Sequence, residues 1–529
     1  MKRVSQKSKP LVALLAVSLW ITPVWSQRSE SAASSSLPSL GDGSDITLSA
    51  ERQLGDRIAR ELYRDPDYFE DPILDEYLQN IWQPLVKGAL ARGEMSPELQ
   101  ERFAWKILIG RDRSVNAFAL PGGYLGVHLG LIGVVSTRDE LASVMAHELS
   151  HVTQRHISRS MGDQARMTPW LIGAMLLGML AASKSTQGAQ AMIVGGQAIA
   201  AQSQLNFSRD MEREADRIGY GVMSEAGFDT QGFVSMFGKL QQAAGLNDNG
   251  AFPYLRSHPL SSERMADMQA RQQLQIPRPA NQANDLMQAI MSARARVLAQ
   301  PGVDALRAWA KEASDSNIDK QAPAKRIGIL YGATLSLVQL RDMSSARAML
   351  PRLHQAAEDQ APVLRLIRLL EAEMAYKEDD MQGALRALSA MIPLASKQWQ
   401  RPELIAVAQA SARLQTANPS VETSQILVQS VSALQALLLQ SPQDAQAWQV
   451  LATALVAQGR TLGSLRAEGE AQLARMDIGA AVDRFRAAQD ASRKLPLQTG
   501  DHIEASIVDA RLRFAQGILR EQLLERQMR

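Results

Sequence analysis

The sequence HELSH at residues 147–151 is the feature that most constrains how this chain folds. Thr137 and Glu140 form a capping box upstream of it, which predicts that HELSH lies on a helix. His147 and His151 then share one helix face and can bind a single metal ion, because residues four apart lie above one another. Glu148 lies about 100° round the helix, where it can take a proton from a water molecule that the metal activates. The alternative is a solvated helix face, which the apolar residues around the motif disfavour.

A second segment supplies a candidate third ligand, which a catalytic zinc ion needs in addition to one open position. The sequence SRDMEREADR at residues 208–217 predicts a helix on which Glu212 and Asp216 share a face. We expect Glu212 to bind the metal and Asp216 to orient a ligand histidine through its other ring nitrogen. Glu214 lies about 200° from Glu212 and is the less favoured ligand. Two histidines and a glutamate favour one zinc ion per chain over other divalent ions.

The first 26 residues have the pattern of a secretory signal peptide. Four basic residues precede an apolar stretch from Leu11 to about Val24, and a small residue, Ser26, precedes Gln27. The alternative is an uncleaved membrane anchor, but the apolar stretch is shorter than the ~20 residues that span a bilayer. We therefore expect a periplasmic protein that is soluble or peripherally attached to a membrane. Residues 27–46, rich in Ser, Gly and Asp, predict a flexible leader.

Length and composition exclude several classes of protein. The chain has 529 residues, which suggests two to four domains. It has no cysteine, which excludes disulfide scaffolds, cysteine-ligated zinc, iron–sulfur centres and thiol nucleophiles. Hydrophobic residues make up 46% of the chain but aromatic residues only 5%, a balance that favours helices. The formal net charge of +2 argues against a general nucleic-acid binder, so we expect no nucleic-acid partner.

Residues 47–276 predict a mostly helical domain with a small sheet, which would carry the zinc site. A helical pattern begins at Leu48 and resumes after Pro72. Three segments have strand patterns, and a Pro-Gly-Gly turn at 121–123 joins the last two; the segments are 103–109, 114–120 and 124–129.

The rest of the chain, residues 277–529, differs in composition. Residues 277–290 are rich in Pro and predict a linker, and residues 291–529 predict an all-α domain of tetratricopeptide-like repeats. Three similar segments each predict a turn followed by the second helix of a pair: 342–350, 379–388 and 477–485. Trp448 predicts the first helix of a pair whose second helix carries Ala481 and Phe485. The register between 390 and 440 stays open, and so does an ordinary irregular helical domain.

The H-E-x-x-H motif followed by S-R-x-x-E-x-E-A-D resembles the zinc endopeptidases related to the CAAX prenyl protease and HtpX, which form metallopeptidase family forty-eight of the gluzincins. The resemblance covers roughly residues 48–272 and implies an α+β zincin-like domain. It also implies that His147, His151 and Glu212 bind zinc. Glu148 would be the catalytic base, and Asp216 would be a supporting carboxylate. With the signal peptide and the repeats, the chain resembles a periplasmic subgroup that degrades or assists misassembled outer-membrane proteins.

This resemblance implies a zinc-dependent endopeptidase that hydrolyses unfolded or misassembled outer-membrane β-barrel proteins, with the repeat domain docking to the outer-membrane assembly machinery. The sequence NAFALPGG at 116–123 is similar to the edge strand of the family, so substrate would add as a strand along Asn116–Leu120. Two alternatives stay open. One is a chaperone or assembly factor with little proteolysis, and the other is a membrane-associated peptidase of inner-membrane proteins.

Two further segments have expected roles near the site. His258, in the sequence SHPLSSERM, would occupy the open zinc position at rest or stabilise the oxyanion; the alternative is a surface histidine that caps the next helix. Residues 169–204 predict an amphipathic or buried hairpin that covers the cleft or contacts membrane and client, the alternative being plain core packing. Arg209 could also hydrogen-bond in the cleft. His128 and His156 are expected to be structural or solvated.

Overall fold

The computed structural model describes residues 46–163, 208–245, 251–274, 281–391, 399–494 and 501–527. The predicted signal peptide, all but the last residue of the predicted leader and the predicted hairpin at 169–204 lie outside the described residues. Within the described part of the chain, no helix combines the length and the apolar character needed to cross a membrane.

The part of the chain up to residue 274 combines helices with a small sheet, which confirms the predicted fold of this region. The strands are β1 (Lys106–Gly110), β2 (Ala117–Leu120) and β3 (Tyr124–His128). The helices are α1 (Leu48–Arg64), α2 (Pro72–Ala91), α3 (Pro97–Arg102), α4 (Leu129–Val134), α5 (Arg138–Thr153), α6 (His156–Asp163), α7 (Arg209–Glu225), α8 (Gln231–Gly245), α9 (Tyr254–Ser257) and α10 (Ser262–Gln272).

The sheet has the strand order β1-β3-β2, so β2 lies at an edge of the sheet as described. β3 pairs in parallel with β1 and antiparallel with β2, with Ala119 opposite Leu125. The predicted turn joins β2 and β3, and Gly122 and Gly123 adopt φ values of 75° and 86° there, a region that favours glycine. A Cβ atom at Gly123 would also lie 2.9 Å from the Cβ of Phe103. Position 123 therefore requires glycine both for its backbone conformation and for lack of space.

Helix α5, which carries HELSH, is buried along almost its whole length. Thr137 caps it, because its hydroxyl accepts the N–H of Glu140 at 3.1 Å. The Glu140 carboxylate accepts the N–H of Ser136 at 2.6 Å, one residue before the cap, so the predicted capping box forms with a small shift. Helix α7 approaches α5 closely at Gly219, where a Cβ atom would lie 3.1 Å from the backbone of Ala146. This approach brings together the two helices that carry the predicted ligands.

Residues 282–290 are helical and do not form a linker, so that part of the prediction was wrong. They begin α11 (Gln282–Leu298), which Asn281 caps through its side chain. The helix packs against α4, and the Ser292 hydroxyl donates a hydrogen bond to the carbonyl of Ile132 at 2.9 Å. Apolar side chains on α11 fill the shared core, and this burial stabilises a helix that directly follows the Pro-rich segment.

The chain beyond α11 is helical in all its described ranges, as predicted, whereas the tetratricopeptide register stays a prediction. The helices are α12 (Val303–Glu312), α13 (Pro323–Gln339), α14 (Met343–Ala356), α15 (Ala361–Lys377), α16 (Met381–Leu388), α17 (Arg401–Ala417), α18 (Val421–Gln440), α19 (Ala445–Ala457), α20 (Thr461–Ala474), α21 (Ile478–Lys494) and α22 (Asp501–Gln527), with short 3-10 turns at Ile318–Lys320 and Ser389–Met391.

The three turns predicted from similar sequences share one geometry. Each has a residue with positive φ followed by an aspartate whose side chain accepts an N–H of the next helix, and the aspartates are Asp342, Asp380 and Asp477. The predicted pairing around Trp448 was wrong. Trp448 lies on α19 and Ala481 on α21, and α20 separates them because Gly459, with φ of 72°, ends α19 early.

Four arginines of the C-terminal helices pair with one acidic segment of the N-terminal part. This acidic segment, residues 70–76, spans the start of α2. Each of its four carboxylates forms an ion pair with a different arginine, at N–O distances of 2.6–3.3 Å. The pairs are Glu70–Arg475, Asp71–Arg294, Asp75–Arg401 and Glu76–Arg365. The helical region is therefore held against the domain with the sheet by charge as well as by apolar packing.

Candidate metal centre

Three segments distant in sequence bring the predicted site residues together. His147 and His151 lie one turn apart on α5, and Glu212 lies in the first turn of α7, after the cap residue Ser208. His258 directly follows the short helix α9. All four ligand candidates are buried, with at most 3% of any of them exposed.

One potential ligand atom from each of these four side chains lies within 4.8 Å of all the others. The Nε2 atoms of His147 and His151 are 3.0 Å apart. His258 Nδ1 lies 3.3 Å from His147 Nε2 and 3.0 Å from Glu212 Oε1. Zinc with tetrahedral ligands at about 2.0–2.1 Å places neighbouring donor atoms about 3.3 Å apart. The cluster therefore has the size that a zinc ion requires.

The charges of the cluster also fit a divalent cation. Glu148, Glu212 and Asp216 are buried carboxylates, and the buried guanidinium of Arg264 offsets one of them when all three are ionised. The remaining charge equals that which Zn²⁺ would neutralise, and buried charge requires such compensation. Burial alone would lower the pKa of His147, but the carboxylates of Asp216 and Glu212 raise it to about 10. The pocket thus attracts positive charge at the point where the ligands meet.

Asp216 lies where its predicted role requires. Its Oδ1 is 2.9 Å from His147 Nδ1, the ring nitrogen that faces away from the cluster. Arg264 donates two hydrogen bonds to this carboxylate, of 2.6 and 2.8 Å, and its Nη1 lies 2.8 Å from Glu212 Oε2. Sequence analysis missed Arg264. The sequence signal for it was its position in the first turn of α10, six residues after His258. That signal is weak, because an arginine at such a position is usually exposed to solvent.

Glu148 lies between the ligand cluster and the edge strand β2. Its Oε2 accepts the N–H of Ala119 at 2.8 Å. Its Oε1 has no hydrogen-bond partner among the described residues and lies 3.4 Å from His258 Nε2. Burial raises the pKa of Glu148, and nearby His258 and His147 counteract part of that rise. The glutamate can therefore exchange a proton in the space between the cluster and the strand edge.

His258 is buried and stacks on Tyr254, with ring centroids 4.6 Å apart. The next helix, α10, is capped by Ser261 instead. The alternative of a surface histidine that caps this helix was therefore wrong. Arg209 is exposed at the start of α7, and no hydrogen bond from it into the cleft is observed among the described residues. His128 is buried in the sheet beside Ser114, in keeping with a structural role.

Glu214 points away from the metal cluster, as predicted, and towards α6. Its Oε2 accepts a hydrogen bond from Arg159 at 2.9 Å and lies 3.1 Å from His156 Nε2. His156 is fully buried beside His151, which excludes the solvated alternative and agrees with the structural one. Burial lowers the pKa of His156 to about 4, which keeps this ring neutral near pH 7.

The sequence that carries this cluster is similar to that of known proteins. Residues 74–272 match the model of peptidase family M48, a range that contains all the residues of the cluster. The β-barrel assembly-enhancing protease of Escherichia coli K12 is 32% identical over 370 residues, which cover 68% of this chain and 71% of that one. The protein of that name from Yersinia pestis is 28% identical over 482 residues, 90% of each chain.

Two further relatives extend the comparison. A Vibrio cholerae protein provisionally given the same name is 35% identical over 328 residues, which cover 61% of this chain and 64% of that one. The mitochondrial metalloendopeptidase OMA1 of Schizosaccharomyces pombe is 28% identical over 224 residues, which cover 42% of this chain and 60% of that one. This match is shorter than those to the bacterial relatives.

Proposed function

Because the chain belongs to peptidase family M48 and is a zinc metalloendopeptidase of the subgroup that includes the β-barrel assembly-enhancing proteases, we propose that it hydrolyses unfolded or misassembled outer-membrane β-barrel proteins in the periplasm. The observation that carries this proposal is the buried cluster of His147, His151 and Glu212 with Glu148 beside it at the edge of the sheet. The substrate class and the compartment are inferred from the names of the bacterial relatives and from the signal-peptide pattern.

We assign the roles of the site residues from their positions. His147, His151 and Glu212 would hold the zinc ion, with Asp216 orienting His147. Zinc, when bound, lowers the pKa of a water molecule to about 7 and polarises the carbonyl of the scissile bond. Glu148 takes the proton of the attacking water on Oε1 and passes it to the leaving amine. The N–H of Ala119 holds the other oxygen of Glu148 and so keeps Oε1 directed at the reaction.

The substrate would lie as an extended strand beside β2. The edge of β2 that faces away from β3 also faces Glu148, so an added strand would present its peptide bonds next to the base. Recognition through backbone hydrogen bonds imposes little sequence preference. It also requires an unfolded or locally open substrate, because a folded protein has no free strand to supply.

His258 would hold the fourth position of the cluster in the resting enzyme. Its Nδ1 is as close to Glu212 and His147 as the other donor atoms are to one another. Substrate binding then requires that His258 gives up this position, since a catalytic zinc needs an open one. Stabilisation of the oxyanion is the second candidate role, favoured by the 3.4 Å between His258 Nε2 and Glu148 Oε1.

The helical region would dock a partner of the outer-membrane assembly machinery. Helical-repeat surfaces are suited to protein partners, and the names of the bacterial relatives point to barrel assembly. The acidic segment ties this region to the peptidase domain, so a bound partner would stay close to the site. We propose no nucleic-acid partner.

The test is cleavage of an unfolded outer-membrane β-barrel protein, diluted from urea, by the purified zinc-loaded chain. Glu148→Gln is assayed beside it, with zinc content measured for both, and Glu263→Gln on the exposed face of α10 serves as a matched control. We expect wild type and control to cut, and Glu148→Gln to hold zinc without cutting. His258→Ala is expected to cut faster if the ring blocks the site at rest, and more slowly if it stabilises the oxyanion.

Other outcomes favour other functions. If neither wild type nor His258→Ala cuts while both hold one zinc ion, a chaperone or assembly factor with little proteolysis is the better assignment. In that case Glu148→Gln should support barrel assembly as well as wild type does. If the mature chain stays with the inner membrane after a mild salt wash, a membrane-associated peptidase is favoured.

A further inference from the structure

A second buried histidine contacts His151 on the ring edge away from the metal cluster. His156 begins α6 directly after Arg155, whose positive φ of 53° turns the chain back at the end of α5. This turn places His156 Nδ1 2.9 Å from His151 Nδ1, and the two rings meet edge to face with centroids 4.8 Å apart. Neither residue has exposed surface.

The proton positions in this contact follow from what a ligand histidine must do. A neutral imidazole has one donor nitrogen and one acceptor nitrogen. His151 turns Nε2 toward the cluster, where it lies 3.0 Å from His147 Nε2 and 3.5 Å from Glu212 Oε1. To bind metal with Nε2, His151 carries its proton on Nδ1 and donates it to His156 Nδ1. His156 therefore carries its own proton on Nε2.

Glu214 accepts that second proton. His156 Nε2 lies 3.1 Å from Glu214 Oε2, and Arg159 Nη1 donates to the same oxygen at 2.9 Å. The carboxylate can only accept, so the hydrogen bonds run in one direction, from His151 through His156 to Glu214. Reversing either imidazole would place two protons, or two lone pairs, against each other at one of these contacts.

We infer that His156 and Glu214 are positioning residues for His151, which hold its Nδ1–H tautomer and its ring plane, as Asp216 does for His147. This inference rests on the ligand set of the proposed function. The two ligands differ in how they are held, since a carboxylate contacts His147 directly and an intervening neutral ring contacts His151. The two glutamates of the E-x-E sequence then have separate roles. Glu212 binds metal, and Glu214 accepts the last of the hydrogen bonds that begin at His151.

The experiment measures the zinc dissociation constant of the full chain by competition with a chromophoric chelator. His156→Leu removes both hydrogen bonds and should weaken zinc binding about 10–100-fold, as loss of such outer partners does. His156→Gln should stay within about threefold of wild type, because its side chain can accept from His151 and donate to Glu214. His128→Leu, which removes another buried histidine away from the cluster, is the matched control and should leave zinc affinity unchanged.

Two results would overturn the inference. One is zinc affinity of His156→Leu within about threefold of wild type. The other is equal weakening by leucine and glutamine, which would mean that ring packing matters and the hydrogen bonds do not.

If His156→Leu does not fold, Glu214→Leu tests the same chain of hydrogen bonds at its half-buried end. Glu214→Leu should bind zinc more weakly than Glu214→Gln, which still accepts a hydrogen bond. Equal zinc affinities of these two variants would overturn the inference. A wild-type chain that fails to bind one zinc ion would instead refute the ligand set itself.

Discussion

Replacement of Arg294 by methionine should destabilise the chain more than any exposed substitution. Arg294 lies on α11 and donates three hydrogen bonds to Asp71, of 2.6 to 3.2 Å, and one to Glu373 on α15 at 2.9 Å. Asp71 also caps α2 by accepting the N–H of Leu74 at 2.9 Å. The guanidinium thus joins a helix of the peptidase domain to two helices beyond it.

The magnitude follows from burial. Arg294 and Asp71 are 4% and 6% exposed, so water cannot replace the lost guanidinium. Methionine keeps most of the apolar stem and leaves the Asp71 carboxylate with its cap bond but without its cation. Removing one partner of a buried ion pair costs about 3–5 kcal/mol. We expect the free energy of unfolding to fall by that amount.

The assay is guanidinium-induced unfolding of a double-mutant cycle made of Arg294→Met, Asp71→Asn and the double variant. Asparagine still caps α2, so Asp71→Asn removes charge and spares the helix start. The double variant should be more stable than the sum of the single losses implies, by about 0.5–3 kcal/mol. Arg307→Met, whose side chain is 70% exposed, is the control and should change stability by less than about 0.5 kcal/mol. A loss below about 1 kcal/mol for Arg294→Met, or additive single losses, would refute the reasoning.

Two more predictions follow from packing and charge. Gly219→Ala forces a Cβ atom to within 3.1 Å of the Ala146 backbone, so thermal unfolding should show a loss of about 1–3 kcal/mol and weaker zinc binding, whereas the exposed Gly238→Ala on α8 should gain about 0.5–1 kcal/mol. Burial would raise the pKa of Asp444, but hydrogen bonds from Arg401 outweigh it and hold the pKa below its usual value. The interaction with Arg401 therefore stabilises the fold fully above about pH 4, and this stabilisation is lost as pH falls through the folded-state pKa of Asp444. The free energy of unfolding, measured from about pH 6 to 3, should consequently fall less steeply for Asp444→Asn than for wild type. Equal pH slopes for the two proteins, or a stabilised Gly219→Ala, would contradict these expectations.

The arrangement of the candidate metal centre could be predicted from sequence where its geometry is local. Residues four apart on a helix share a face whatever the rest of the chain does, so the pairs on α5 and α7 were readable from spacing. The cap at Thr137 was readable for the same reason. Arg264 was not, because its contact with Asp216 depends on how distant helices pack. His156 was not, because its contact with His151 depends on the turn that the positive φ of Arg155 makes after α5.

The same distinction explains the outcome in the helical region. The turns before α14, α16 and α21 depend on a few adjacent residues, and their aspartates mark them in the sequence. Which helices pair depends on surfaces tens of residues apart, and α20 was missed between Trp448 and Ala481 for that reason. The start of α11 had a local signal in Asn281, but the Pro-rich residues just before it outweighed that signal.

The buried charges explain why the site needs several distant segments. One helix can present two histidines to a metal, but a carboxylate ligand must be buried with them, and a buried carboxylate requires a compensating charge. Glu212 and Asp216 come from α7 and their guanidinium from α10, so the charge is balanced only when α5, α7 and α10 have all packed. The raised pKa of His147 has the same cause, because the carboxylates that raise it also favour the metal. The packing of α5, α7 and α10 and the net negative charge that would favour a dication are therefore two consequences of one arrangement of side chains.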